Sequence, residues 1–600
     1  MYLVQRHLFS IVLLVCVELA GHGYAQTQPN VVIFLADDAG WGDYSRNGNT
    51  QLSTPNIDSL AKDGVTLDRF YVCPVCSPTR AEFLTGRYHP RTGVYGVSTG
   101  QERMSLDEKT VADAFKAAGY ATGAFGKWHN GSQWPYHPMA RGFDEYVGYT
   151  SGHWGEYFDP PLESGGKPIR AKGYIVDVLT DEALGFIDRN RDKPFFCYVP
   201  FTTPHSPWAV PEEDWSRFKD KPITQFASLP KQEVIDHTRC ALAMLENQDR
   251  NVGRVLQRLS ELNLTDDTIV VYFSDNGPNT WRFNGGMKGR KGSTDEGGIR
   301  STCFWRWPKG LPAGTSVAQI SGAIDLLPTL TALANVKSMA DKPLDGMDLT
   351  PLLRGNPVEF PDRTIFSTWN GQVSARTQTH RLDAAGQLFD MTADPGQLNP
   401  LGPGAGDAHR LLTQAVAKWR REVLPAPMAK GKRKEGGKSV DPRPIPVGYR
   451  EFPRTWLPAR DGEPSGSVKR SSGAPNSSYF VNWTSIDDRL TWEIQVQTPG
   501  RYRVEIQYTC PDADAGSVIE LAFNQAKLVG KVAPGWDPPL YANQDTLPRP
   551  PAESPMKAFR TLELGSVELQ QGQGPLVLRA IELPGRHVMD LRALTLTLLD

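Results

Sequence analysis

Two short acidic pairs are the first residues in this chain that read as chemistry. Asp37-Asp38 follows the apolar run Val31-Val32-Ile33-Phe34-Leu35, and Asp275-Asn276 follows Ile269-Val270-Val271-Tyr272-Phe273. Neighbouring side chains on an extended strand point to opposite faces. An adjacent pair therefore serves one ligand only where the chain is leaving the strand, and both pairs sit at such points. Four oxygen-bearing side chains converging there suit a hard divalent cation such as Ca2+ or Mg2+. Either pair alone has an ordinary alternative, since Asp and Asn also cap helices and form turns. A second candidate lies between Cys73 and Gly86. Cys73-Pro74-Val75-Cys76 is formally a C-x-x-C motif, but the redox version opens a helix after a strand in a small βαβ domain. Here it runs into Ser77-Pro78-Thr79-Arg80, so that Cys76 begins a Cys-x-Pro-x-Arg segment followed by Ala81-Glu82-Phe83-Leu84-Thr85-Gly86.

Such residues need a frame, and the patterning supplies one. A third apolar run, Phe195-Phe196-Cys197-Tyr198-Val199, leads to Thr203-Pro204-His205. Continuous β-branched and aromatic runs are what a parallel strand buried on both faces requires. Helical patterns at Val111–Ala118, Tyr174–Ile187 and Glu233–Leu262 separate them. This alternation predicts a doubly wound α/β sheet, and ligands of such sheets bind beyond the carboxyl ends of strands. The composition changes near Lys430. The run Lys430-Gly431-Lys432-Arg433-Lys434, with Asp441-Pro442-Arg443-Pro444, reads as a basic, Pro-rich linker over 426–446. Beyond it Trp492, Ile494 and Val496 alternate with polar residues. So do Tyr502, Val504, Ile506 and Tyr508, and Leu594, Leu596 and Leu598. That period predicts an accessory antiparallel β-sandwich over 447–600.

Lys plus Arg total 65 and Asp plus Glu 67, a net charge of −2. This near balance excludes a chain that coats nucleic acid and an acidic disordered tail. Gly (56) and Pro (48) are plentiful for 600 residues, which favours a loop-rich α/β enzyme or β-rich modules over a helix bundle. Arg6 and His7 precede the apolar run Leu8–Val17, and Gly23-Tyr24-Ala25 forms a small-x-small cleavage site. Residues 1–25 therefore read as an export signal, leaving a secreted or periplasmic chain with no stable membrane span. Six cysteines outside that segment are too few and too scattered for a disulfide scaffold.

The segment Cys76-Ser77-Pro78-Thr79-Arg80 through Thr85-Gly86 resembles the signature of the sulfatases of the alkaline phosphatase superfamily. Further motifs resemble the family too: Gly126-Lys127-Trp128-His129, Pro204-His205-Ser206-Pro207, Ser274-Asp275-Asn276-Gly277, and Lys291-Gly292 leading to Glu296-Gly297-Gly298-Ile299-Arg300. The resemblance runs from about residue 29 to 420. It implies an alkaline-phosphatase-like mixed sheet (26–320) with a small C-terminal α+β subdomain (321–425). It further implies that a maturation enzyme oxidises Cys76 to formylglycine, and that Asp37, Asp38, Asp275, Asn276 and the converted Cys76 hold one Ca2+. Arg80 would hold the aldehyde hydrate, Lys127 and Lys291 would contact the sulfate, and His129 and His205 would handle protons. Asn130 departs from the Leu many members carry, and Ser151 lies one position from where the family places a serine.

A sulfate ester is an anion with a poor leaving group. Hydration of an aldehyde puts two hydroxyls on one carbon, one to attack sulfur and one to expel sulfate afterwards. A divalent cation lowers the pKa of the first, and a protonated group must meet the departing alcohol. For a sulfated carbohydrate substrate, His153, Trp281 and Arg282 are further candidate contacts alongside Lys127, His205 and Lys291. Aromatic faces stack on sugars and Arg binds anions, although the tryptophans serve core packing equally well. The basic stretch Met287–Lys291 would attract a polyanion. Two other functions fit the same residues. One is a phosphodiesterase or phosphonate hydrolase of the superfamily, and the other is an inert glycan-binding protein.

Overall fold

A computed structural model describes residues 28–356, 359–402, 406–424 and 440–599. The expected export signal and the basic run Lys430–Lys434 lie outside the described residues.

Eleven strands form one mixed sheet. In chain order they are β1 Asn30–Ala36, β2 Val65–Tyr71, β3 Ala121–Lys127, β4 Glu145–Tyr149, β5 Pro161–Ser164, β6 Lys167–Arg170, β7 Phe195–Pro200, β8 Thr268–Ser274, β9 Arg300–Ser301, β10 Cys303–Arg306 and β11 Thr315–Gly322. The spatial order is β11-β2-β10-β8-β1-β7-β3-β4-β5-β6, with β9 also on β2. β1, β7, β8, β3 and β4 are parallel neighbours, β2 is parallel to β11, and β10 runs antiparallel between β2 and β8.

The three apolar runs are the central strands, and every residue of β1, β7 and β8 is buried. Two cores explain this. Val31, Ile33 and Leu35 pack on one face with the helices Cys76–Thr85, Val111–Ala117 and Leu326–Leu333. Val32, Phe34 and Ala36 pack on the other with Pro55–Lys62, Ile175–Asn190 and Ile235–Glu261. A strand covered on both sides has no polar face, which is why its sequence shows no alternation. The helix Leu326–Leu333 lies past the boundary expected at 320, yet it fills the first core.

A four-stranded antiparallel sheet (Ile365–Trp369, Gln372–Arg376, His380–Leu382, Leu388–Asp390) and the helix Gly406–Val423 form the small α+β unit. Two six-stranded sheets then enclose one apolar core between residues 445 and 598. The period-two residues Trp492, Ile494, Val496, Tyr502, Val504, Ile506, Tyr508, Leu594 and Leu596 are its inner faces. The pairing is antiparallel except at Ile445–Val447, which runs parallel to Arg489–Val496. The end of the expected linker is no free tether. Asp441 is buried and accepts hydrogen bonds from Tyr95 and Arg443, while Arg103 donates to the carbonyls of Arg443 and Pro444.

Candidate active site

β1, β2, β3, β7 and β8 run in one direction, so their carboxyl ends share one edge of the sheet. Asp37-Asp38 leave β1, Cys76 follows β2, Lys127 ends β3 with His129 just beyond, His205 follows β7, and Asp275-Asn276 leave β8. One turn suffices to bring them together. Ligand-capable atoms of Asp37, Asp38 and Cys76 lie within 4.8 Å of one another. The Asp38 amide donates to Asp275 Oδ1 at 3.1 Å, and Asn276 Nδ2 donates to Asp38 Oδ1 at 2.9 Å. Asp38 adopts φ 68° and His129 φ 66°, left-handed backbone that costs energy for a side-chain-bearing residue. In both cases that conformation occurs where the chain turns off a strand into the site.

Cys76 is the first residue of the helix Cys76–Thr85, all of whose side chains are buried. Helix N-termini favour anions. Thr79 anchors this end, accepting from the Cys73 amide at 2.8 Å and donating to the Asp275 carbonyl at 2.6 Å. Asn130 Nδ2 donates to the Ser77 carbonyl at 3.2 Å, so the position departing from the family pattern braces the same turn. Arg80 follows Cys76 by one helical turn, on the same face. It donates to Asp275 Oδ2 at 2.9 Å and to the Lys127 carbonyl at 2.7 Å, which leaves its Nε buried and unpartnered. Burial pushes the Cys76 thiol above its ordinary range, with Lys127 and Lys291 opposing. The thiol is thus a neutral group, poor as a nucleophile.

The charges are balanced in pairs. Lys127 Nζ donates to Asp37 Oδ2 at 2.7 Å, Lys291 Nζ to Asp38 Oδ2 at 2.7 Å, and Arg80 takes Asp275. Asp38 is held well below the usual carboxylate range despite its burial, by Lys291 and Lys127 and by a hydrogen bond from Asn276. Burial and the neighbouring carboxylates push Asp275 up to about 7. With Asp275 ionised, three carboxylates facing three cations sum to zero, and a bound dication would make the cluster positive. That is the sign needed to hold a sulfate ester and its developing charge. Two hard oxygens, Asp37 Oδ1 and Asn276 Oδ1, are buried without a hydrogen-bond partner, and they belong to the residues expected to bind metal. A group of hard oxygen donors with orphaned members fits Ca2+ or Mg2+.

The histidines divide. Burial and Lys127 hold His129 well below its usual range. Its Nε2 lies 2.8 Å from the Val97 carbonyl, which only accepts, so Nε2 carries the proton and the buried, unpartnered Nδ1 carries a lone pair. His205 Nε2 lies 3.5 Å from Asp38 Oδ2. Burial and the two lysines lower His205 to about 3, with Asp38 opposing.

The outer candidates fare differently. His153 Nδ1 stands 3.4 Å from His205 Nδ1, inside the site. Trp281 lies under the Arg290 guanidinium (5.6 Å) and lines, with Lys288, Arg290 and Lys291, a cleft of about 670 Å3. Arg282 is a correction. It is 1% exposed and spends its guanidinium on Asp43, Asn279, Thr280 and the Asp38 carbonyl. It props the Asp37-Asp38 turn from behind and has no face for substrate. Ser151 donates to the Asn476 carbonyl at 3.0 Å, toward the C-terminal sandwich. Glu553, from that sandwich, accepts a hydrogen bond from Ser206 and reaches His153. No motif marks it.

Residues 29–336 match the family model described as Sulfatase. Steryl-sulfatase of Mus musculus is 28% identical over 542 residues, taking in 68% of this chain and 84% of that protein. N-acetylgalactosamine-6-sulfatase of Homo sapiens is 30% identical over 478 residues, 68% of this chain and 88% of that protein. The crystal structure of Ps i-CgsB in complex with k-i-k-neocarrahexaose superposes with a TM-score of 0.61 at 30% identity, covering 67% of this chain and 94% of that one. Among the described residues no helix is long and apolar enough to cross a membrane.

Proposed function

The chain belongs to the sulfatase family and is a sulfuric ester hydrolase, and on that premise we propose that it is an exported enzyme that removes sulfate from sulfated saccharides, using a formylglycine formed from Cys76 beside a Ca2+ ion. The observation that carries this reading is the meeting of Cys76, Asp37 and Asp38 at one strand edge with a lysine paired to each aspartate. A saccharide substrate is supported by the N-acetylgalactosamine-6-sulfatase relatives and by the neighbour complexed with a neocarrahexaose. The sandwich is the accessory module in this reading.

Asp37, Asp38, Asp275 and Asn276 would hold the cation, which when bound neutralises sulfuryl oxygens and acidifies a nearby hydroxyl. The other roles belong to the chain itself. Arg80 Nε, a buried donor with no partner, is available to orient an oxygen on residue 76. Lys127 and Lys291 turn part of their charge from the aspartates to the sulfate. His205 is neutral before substrate binds, because burial and the same two lysines disfavour a positive charge there. An anionic ester offsets that repulsion, so substrate binding raises the proton affinity of the imidazole that then protonates the leaving oxygen. His129 Nδ1 is a buried lone pair and serves as the base for sulfate release.

Mass spectrometry of the peptide containing Cys76 tests the reading. Conversion lowers the residue mass by about 18 Da, a covalent change no packing effect mimics. Fully active enzyme with an intact thiol at Cys76 refutes it. Side-by-side turnover of aryl sulfate and aryl phosphate esters separates it from phosphoester or phosphonate hydrolysis.

A further inference from the structure

The sandwich touches the catalytic unit at several places, among them Asn476 with Ser151, Asp461 with Gln133 and Arg592 with Glu156, and one long loop, residues 532–559, between the strands Ala526–Lys531 and Arg560–Leu569, carries Glu553 to His153. Its docking is extensive and specific. Gln544 Oε1 accepts from the Tyr157 and Phe158 amides at 2.9 and 3.0 Å, and its Nε2 donates to the Phe158 carbonyl at 2.8 Å. Thr546 and Leu547 amides donate to the Trp208 carbonyl at 2.8 and 3.1 Å, and Arg549 donates to the Gly155 carbonyl at 2.7 Å. These contacts grip the two segments, 153–158 and 205–210, that carry His153 and His205. Between them the loop inserts Glu553.

One carboxylate oxygen of Glu553 accepts from Ser206 Oγ. The other, Oε2, is buried with no hydrogen-bond partner, as is His153 Nε2, and the two lie 3.5 Å apart. The side chains are 8% and 6% exposed, so both unmet atoms belong to groups more than nine-tenths buried. The proton positions follow from the chain of contacts. The Ser206 carbonyl can only accept, so His205 Nδ1, 2.6 Å away, carries hydrogen. His153 Nδ1, 3.4 Å from that nitrogen, is then the acceptor, and His153 Nε2 bears the N–H that faces Glu553. A donor and an acceptor stand side by side, adjoining the histidine expected to protonate the leaving oxygen. A hydroxyl can give its proton to Glu553 and accept from His153. A second sulfate or a carboxylate would meet a carboxylate in a desolvated site, where like charges repel strongly.

Resting on the sulfatase reading above, we propose that the C-terminal sandwich builds part of the catalytic pocket, and that Glu553 with His153 forms a subsite selecting a hydroxyl-bearing, uncharged sugar ring next to the scissile sulfate. The sandwich is then a specificity element of the reaction as well as an appended module.

The test compares the full-length enzyme with Glu553→Ala, Glu553→Gln and Gln544→Ala at pH 8, above the value near 7 to which burial raises Glu553. The probes are 4-nitrophenyl sulfate, whose leaving group has no hydroxyl, and a panel of monosulfated monosaccharides with their disulfated counterparts. For Glu553→Ala, kcat/KM on the best monosulfated sugar should fall by about tenfold or more beyond any fall on 4-nitrophenyl sulfate, chiefly through KM, as expected when a buried polar partner is lost. Glu553→Gln removes the charge but keeps the shape, so discrimination against the disulfated sugar should shrink by about tenfold or more. Gln544→Ala loosens the loop without removing the carboxylate, and should lower thermal stability and shift both preferences in the same direction as Glu553→Ala but by less. Equal losses on all probes, or a wild type with no preference for hydroxyl-bearing leaving groups, overturns the proposal. The mass of the Cys76 peptide from the same samples separates the two levels. Converted, active enzyme with no Glu553 effect refutes this inference alone, whereas unconverted enzyme that is nonetheless fully active refutes the underlying reading and this one with it.

Discussion

Lys127→Met separates the two jobs that Lys127 holds. The ammonium is 0% exposed and lies 2.7 Å from Asp37 Oδ2. Methionine keeps most of the side-chain length while deleting the charge. For catalysis, losing one preorganised positive group aimed at developing negative charge costs about 3 kcal/mol, or 10²- to 10³-fold in kcat/KM. For stability, the site without cation is neutral above about pH 7, where Asp275 is ionised, with Asp37, Asp38 and Asp275 set against Arg80, Lys127 and Lys291. The variant leaves one negative charge unmatched in a buried cluster, and breaking a buried pair in this way costs about 3–5 kcal/mol. A bound divalent cation makes good the missing charge. The variant should therefore unfold at distinctly lower temperature than the parent in chelator, and the gap should narrow in millimolar Ca2+. The parent gains less from Ca2+ because its carboxylates are already paired. Differential scanning calorimetry in both buffers, with initial rates on 4-nitrophenyl sulfate, measures both effects. A rate loss below about fivefold would show that Lys127 never meets the sulfate. A stability gap that ignores Ca2+ would show that no cation binds between Asp37 and Asp275.

Three further outcomes follow from other residues. Chelation should abolish turnover while circular dichroism stays unchanged, and added Ca2+ should restore it, since the carboxylates have internal partners without the ion. Cys76→Ser, left unconverted, has one hydroxyl and no second one to expel sulfate, so intact-mass analysis should find sulfate retained on the protein with no steady-state release; multiple turnover at the parent rate refutes the geminal-diol step. Glu82 is buried beside Cys73 and His89, and burial raises it from 4.5 to about 8. The folded state then binds the extra proton, so its contribution to stability is full below about 4.5 and is lost as pH rises toward 8, a difference of a few kcal/mol. Melting temperature should decline over that window more steeply in the parent than in Glu82→Gln; parallel profiles would mean that Glu82 is ionised throughout.

Much of the frame was legible because its causes are local. β1, β7 and β8 announce themselves as unbroken apolar runs, since both faces are covered, and the inner faces of the sandwich announce themselves by period two, since only one is. The small α+β unit carried no such signal. Its strands are three to five residues long, and its core is split into small clusters. The helix Leu326–Leu333 could not be assigned to its core from sequence, because an apolar helix fits any apolar face.

The sequence by itself determined the chemical inventory of this protein: acids at strand ends, the Cys76–Arg80 turn, two lysines and two histidines in short motifs. Such groups can be read linearly because each is fixed by a few neighbouring residues and by the edge at which parallel strands end. Only the tertiary structure decided how they are spent. Lys127 and Lys291 each neutralise a different aspartate, Arg282 is consumed by Asp43 behind the site, and Glu553 arrives from the sandwich to stand against His153. Those assignments join residues 90 to 400 positions apart. They depend on burial and on competition for hydrogen-bond partners, and neither quantity exists until the chain has folded.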